Sequence, residues 1–99
     1  MTEEEKTNIK LKLKEALSKE KEVSKIIIFG SFLKIKNPND IDIAIFQDSK
    51  EVYFKLSLKY RKLTRQIANI IPLDIIPLKN NSKGMFMSEI NLGETIYER

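Results

Sequence analysis

Ninety-nine residues with 18 basic and 14 acidic side chains, a net charge of +4, and 41% hydrophobic residues describe one globular domain with no room for a second. A chain this size buries roughly 60–70% of its unfolded surface, enough for one two-layer core. That excludes a barrel enzyme, a doubly wound dehydrogenase and a protein kinase. Cysteine and histidine are both absent, which removes disulfides, thiol nucleophiles, imidazole ligands and His-dependent triads.

The chain opens on Thr2 followed by Glu5, the spacing of a capping box, and Ile9, Leu13, Ala16 and Leu17 then recur at helical intervals. A helix over residues 3–21 follows, with its lysines on the solvated face. Val23 to Phe29 is β-branched and apolar, a strand ended by Gly30-Ser31, and Asn37-Pro38-Asn39 is a turn. Ile41 to Phe46 is apolar except for Asp42 and reads as a central strand. From residue 49 to 70, Val52, Leu56, Tyr60, Leu63, Ile67 and Ile70 keep close to a 3.6-residue period and predict one long helix. Leu73 to Leu78 is a third strand with Pro77 near its end. Met85 to Leu92 predicts a short helix stopped by Gly93, and Glu94 to Glu98 a final strand. The fold class is α+β, a two-layer sandwich of a small mixed three- to four-stranded sheet with helices mainly on one face.

Carboxylates carry the functional signal. The ten glutamates lie mostly in predicted helices and near the chain ends, whereas three of the four aspartates sit in strands. Asp40 and Asp42 share a face because residues i and i+2 of a strand point the same way. Two carboxylates that close repel unless a cation lies between them, and Mg²⁺, a hard ion that takes carboxylate and phosphate oxygens, suits the pair. If the strand of Asp74 is adjacent, a third carboxylate reaches the same place, as a two-metal phosphoryl-transfer site requires. Gly30 lets the backbone approach a ligand closely, Ser31 offers a hydroxyl to a phosphate, and Lys34 and Lys36 follow in the loop. An EF-hand is excluded, because Ala44 stands where an oxygen ligand is needed. Plain readings stand beside these: the aspartates as turn caps or edge-strand carboxylates, the lysines as solvated loop residues.

Phe29-Gly30-Ser31, then Asn39-Asp40-Ile41-Asp42-Ile43-Ala44, then the lone Asp74 resemble the polymerase-β-like nucleotidyltransferases, and most of all their minimal bacterial and archaeal members. The ending, Glu89-Ile90-Asn91-Leu92-Gly93-Glu94-Thr95-Ile96-Tyr97, is similar too, so the likeness runs from about residue 10 to 98. The resemblance implies a nucleotidyltransferase fold with Asp40, Asp42 and Asp74 as catalytic residues and metal ligands for two Mg²⁺ ions. It implies Gly30, Ser31 and Lys34 as the nucleotide-binding turn for ATP or another nucleoside triphosphate. The activity implied is transfer of a nucleoside monophosphate, AMP for preference, to a hydroxyl. The implied partner is a small helical HEPN-type protein, with the chain as antitoxin, or else a second copy in a homodimer. Only eight residues separate Ser31 from Asp40, so the helix after Gly-Ser is expected to be clipped.

Two rival readings stay open: a catalytically silent binding subunit of the same fold, and a small basic nucleic-acid-binding domain. Lys55, Lys59 and Lys62 in a helical stripe, with Arg61 and Arg65 beside it, speak for the latter. Tyr53, Phe54 and Tyr60 read as packing groups, and Met85-Phe86-Met87 as core or partner contact. The N-terminus is acidic, and apolar runs reach only about four residues, so no membrane span and a cytoplasmic location are expected.

Overall fold

A computed structural model describes residues 1–84 and 86–99. The elements run α1 (Glu3–Leu17), β1 (Val23–Phe29), α2 (Ser31–Lys34), β2 (Ile41–Gln47), α3 (Tyr53–Leu63), α4 (Arg65–Ala68), β3 (Leu73–Lys79), α5 (Phe86–Asn91) and β4 (Glu94–Glu98). The sheet order is β3-β2-β1-β4. β1 is antiparallel to β2 and β4, while β2 and β3 are parallel, the pairing that needs a long crossover, here α3–α4. Pro77 is accommodated because β3 is an edge strand.

Strand alternation splits the apolar residues between two faces. Ile26, Ile28, Ile41, Ile43, Ile45 and Ile75 pack under α1, α3 and α4 with Ile9, Leu13, Leu17, Leu56, Tyr60 and Ile67. Ile27, Phe29, Ala44 and Phe46 pack on the other face with Ile90 of α5, flanked by Ile76, Leu78 and Met87. Asp42 alternates with Ile41 and Ile43, and Asp74 with Leu73 and Ile75, so both fall on this second, more open face.

Several helical expectations are corrected. The capping box at α1 forms, with the Glu5 amide donating to Thr2 Oγ1 at 3.0 Å and the Thr2 amide to Glu5 Oε1 at 2.8 Å. The helix nevertheless stops at Leu17. Both Leu17 and Val23 are buried, and the intervening turn is closed by Glu20 N–H to Leu17 C=O and Val23 N–H to Glu20 C=O. The helix expected over 49–70 is two helices. Thr64 Oγ1 donates to the Tyr60 carbonyl at 2.8 Å, the same acceptor its own amide uses, and the backbone there leaves the helical range (φ −109°, ψ 13°). The buried stripe is Leu56, Tyr60, Thr64, Ile67 and Ile71, while Val52, Leu63 and Ile70 are exposed. Tyr53 and Phe54 are exposed as well and do not pack in the core. Of the Met85-Phe86-Met87 cluster, Met85 and the Phe86 side chain lie outside the described residues.

Lys6 departs furthest from expectation. It is 5% exposed rather than solvated, and its ammonium donates to the Phe32 and Ile35 carbonyls at 2.8 and 2.6 Å.

Candidate active site

Three strand ends meet at one edge of the open face. β1 finishes at Phe29, which pairs with Asp42, and Asp42 in turn pairs with Asp74 across the parallel ladder. The Ile41 amide donates to the Pro72 carbonyl at 3.0 Å, tying the starts of β2 and β3 together. One carboxylate oxygen from each of Asp40, Asp42 and Asp74 lies within 4.8 Å of the other two. Asp74, from a distant stretch of sequence, thus joins the pair. Asp40 and Asp42 are partly buried and Asp74 is exposed.

Gly30 completes the cluster by what it lacks. Its backbone (φ 80°, ψ −154°) lies in a region open essentially to glycine alone. A Cβ there would stand 2.4 Å from Asp42 Oδ2. Ser31 opens α2, a single turn ending at Lys34, in keeping with the short spacer. Ser31 is half-buried, and Lys34 and Lys36 are exposed.

The electrostatics are those of crowded like charges. The Asp42 carboxyl is raised above its ordinary value, first by burial, then by the charges of Asp40 and Asp74, a hydrogen bond with Asp74, and the charge of Glu89 on α5. Glu89 is therefore a fourth acidic neighbour that the sequence did not single out; only the folding of α5 over this face brings it near. None of the three aspartates enters an ion pair among the described residues. A set of hard oxygen donors without a cationic side chain fits a divalent ion such as Mg²⁺.

The other charged features lie elsewhere. Lys59, at the middle of the lysine stripe, is bound to Glu20 at 2.7 Å and Glu22 at 2.9 Å, which leaves Lys55 and Lys62 without it as a continuous basic strip. A cavity of about 800 Å³ between α1 and the α3–α4 pair is lined by Ala16, Leu63, Ile67 and Ile70 with Lys12, Lys19, Lys62 and Arg65. It lies on the helical side and contains none of the aspartates. No helix among the described residues is long and apolar enough to cross a membrane.

A carboxylate trio beside a glycine bend, on an α+β sandwich with a 3-2-1-4 sheet, defines the nucleotidyltransferase class of folds. The family description "Polymerase beta, Nucleotidyltransferase" matches residues 11–99, and the chain belongs to that family. Among solved structures, the chain is similar to a tri-AMPylated Shewanella oneidensis HEPN toxin in complex with MNT antitoxin. The TM-score is 0.67 at 17% identity, over 95% of this chain and 73% of the other. It is also similar to a toxin–antitoxin MntA–HpeT complex carrying two Asp→Glu substitutions, with a TM-score of 0.62 at 16% identity and the same coverage of 95% and 73%. No curated protein matches in sequence.

Proposed function

We propose that this chain is a nucleotidyltransferase that moves AMP from ATP to a hydroxyl acceptor on a small helical partner of the HEPN type, acting as the antitoxin of that pair. The observation that carries the reading is the convergence of the Asp40, Asp42 and Asp74 oxygens within 4.8 Å. Asp40 and Asp42 would hold Mg²⁺ on the nucleotide phosphates, and Asp74 would share a second ion. Bound there, the ions supply charge neutralisation to the triphosphate and to the entering and leaving oxygens. Gly30 leaves the space beside Asp42 clear for the triphosphate, the Ser31 hydroxyl donates to a phosphate oxygen, and Lys34 adds positive charge nearby. Asp74, the most exposed of the three, takes the proton of the acceptor hydroxyl. The acceptor oxygen then bonds to the α-phosphorus, the α–β bridge breaks and pyrophosphate leaves. With no histidine in the chain, positioning and charge neutralisation do most of the work.

Support for a protein acceptor comes from the fold relatives, one a tri-AMPylated HEPN toxin in complex with MNT antitoxin and the other a toxin–antitoxin MntA–HpeT pair. It comes also from Tyr53, Phe54, Leu58 and Leu92, which are 51–84% exposed and give a partner apolar surface to cover. A cytoplasmic location is part of the same reading. The test is to co-express the chain with the protein encoded beside it and to supply Mg²⁺ and ATP labelled at the α-phosphate. Label should pass to the partner, and Asp42→Asn should abolish it; a folded wild-type chain that labels neither protein nor RNA overturns the reading.

A further inference from the structure

The turn between β1 and β2 is held from behind by a residue that nothing in the motif includes. α2 is one turn long, and a single turn has no stability of its own. Its internal bonds occupy only the carbonyls of Gly30, which accepts from Leu33 N–H at 3.2 Å, and Ser31, which accepts from Ile35 N–H at 3.0 Å. The carbonyls at its C-terminal end are left without helical partners. Two of them, those of Phe32 and Ile35, accept from the buried Lys6 ammonium at 2.8 and 2.6 Å. The same ammonium sits 5.3 Å from the centre of the Phe32 ring, which is itself fully buried. Lysine is seldom buried, and it is tolerated inside only where its charge is satisfied. Lys6 is the only lysine classed as buried among the described residues. A leucine here would pack as well against Phe32 but would leave two carbonyls unpaired.

We infer that Lys6 is a positioning residue for nucleotide binding: from the first turns of α1 it clamps α2, and through α2 it fixes where Gly30 and Ser31 stand relative to Asp42. The inference rests on the proposed function, because Gly30 and Ser31 hold phosphate only in that reading. The apolar anchor of α2 is Phe32 and the polar anchor is Lys6; with one gone, the turn pivots on the other. Asp42 and Asp74 are held by the β2–β3 ladder instead, and Asp40 directly precedes its first pair, Ile41 with Leu73, so loss of the clamp separates two properties that a general loss of folding would move together.

The 99-residue chain is titrated with Mn²⁺, which reports the carboxylates, and with the Mg²⁺ complex of α,β-methylene-ATP, which reports the turn. In Lys6→Met, with an unchanged circular dichroism spectrum, nucleotide affinity should fall roughly tenfold to a hundredfold while Mn²⁺ affinity stays within about twofold of wild type. If the methionine variant does not fold, Lys6→Gln, which keeps a donor but loses the charge, carries the same measurement with a smaller expected loss. A folded variant whose nucleotide affinity matches wild type, or whose Mn²⁺ and nucleotide affinities fall in parallel, overturns the role of Lys6. A wild-type chain that binds neither probe overturns the proposed function instead.

Discussion

Two carboxylate clusters in this small protein differ in one respect that decides their roles. Glu22 accepts from Lys59 at 2.9 Å and from the Tyr60 hydroxyl at 2.8 Å, and Glu20 joins the same lysine at 2.7 Å. Burial pushes Glu22 upward, but hydrogen bonds from Lys59, from its own backbone and from Tyr60 outweigh it and hold the carboxyl below its usual range. The same contact, added to burial, drives the Tyr60 phenol well above its ordinary value. Asp40, Asp42 and Asp74 are packed as closely but have no such cation, and Asp42 is pushed up, not down. In the first cluster the protein answers its own charges and fastens α3 to the α1–β1 turn. In the second it leaves them to be answered from outside, at the expense of its own stability.

Exchanging the neutral amide for the acid separates the two clusters. Asp42→Asn should lower transfer at least about a thousandfold, the scale of removing a key electrostatic group. Gly30→Ala, which puts a methyl 2.4 Å from Asp42 Oδ2 in a strained backbone, should lower transfer about a hundredfold, because the Asp42 carboxylate has to turn away from the methyl. Steady-state labelling checks both. Glu22→Gln should leave transfer alone and destabilise the fold by about 1 kcal/mol, read as a lower midpoint in urea unfolding. Smallest, and opposite in sign, is the second effect of Asp42→Asn: with chelator present, its melting temperature should exceed that of wild type by on the order of a few degrees.

The two clusters also respond to pH in opposite directions. Because the folded Asp42 carboxyl is raised, the native state keeps a proton that the unfolded chain has lost. Stability of the cation-free protein therefore falls as pH rises through that carboxyl's folded range. Glu22, lowered in the fold, contributes stability above the ordinary carboxylate range that disappears as pH falls through its folded value. In melting curves taken across the carboxylate range, Asp42→Asn should lose the fall in stability as pH rises above the ordinary carboxylate value, and Glu22→Gln the fall as pH drops below it. Identical profiles for both variants and wild type would break the contrast.

The strands and the motif were legible in the sequence because both depend on local chemistry. β1 runs Val23–Phe29 and β4 Glu94–Glu98 as expected, while β2 and β3 extend one residue further, to Gln47 and Lys79. The pairing of Asp40 with Asp42 follows from alternation alone. Whether Asp74 joins them is decided by strand order, which no local pattern encodes. The helices were less legible, because side chains compete for backbone at their ends. The Gln47 side-chain Oε1 accepts from the Ser49 amide at 2.7 Å, and the Ser49 hydroxyl accepts from the Glu51 amide at 3.0 Å, which delays α3 to Tyr53. Thr64 then ends it early. Lys6 looked like any lysine on a polar helix face; only the placement of α2 above it gives its charge a reason to turn inward.

The register of β3 on β2 has a consequence for assembly. Asp42 lies opposite Asp74 only after the whole α3–α4 crossover has closed, and such non-local parallel pairing is slow to form. A slip by one residue would place Leu73 or Ile75 opposite Asp42 and turn Asp74 into the layer beneath the helices, among isoleucines where an unpaired charge is strongly disfavoured. Misaligned chains are thus both inert and unstable. Newly made protein should acquire its affinity for divalent ions in the same kinetic phase as protection of the β3 amides, and not before.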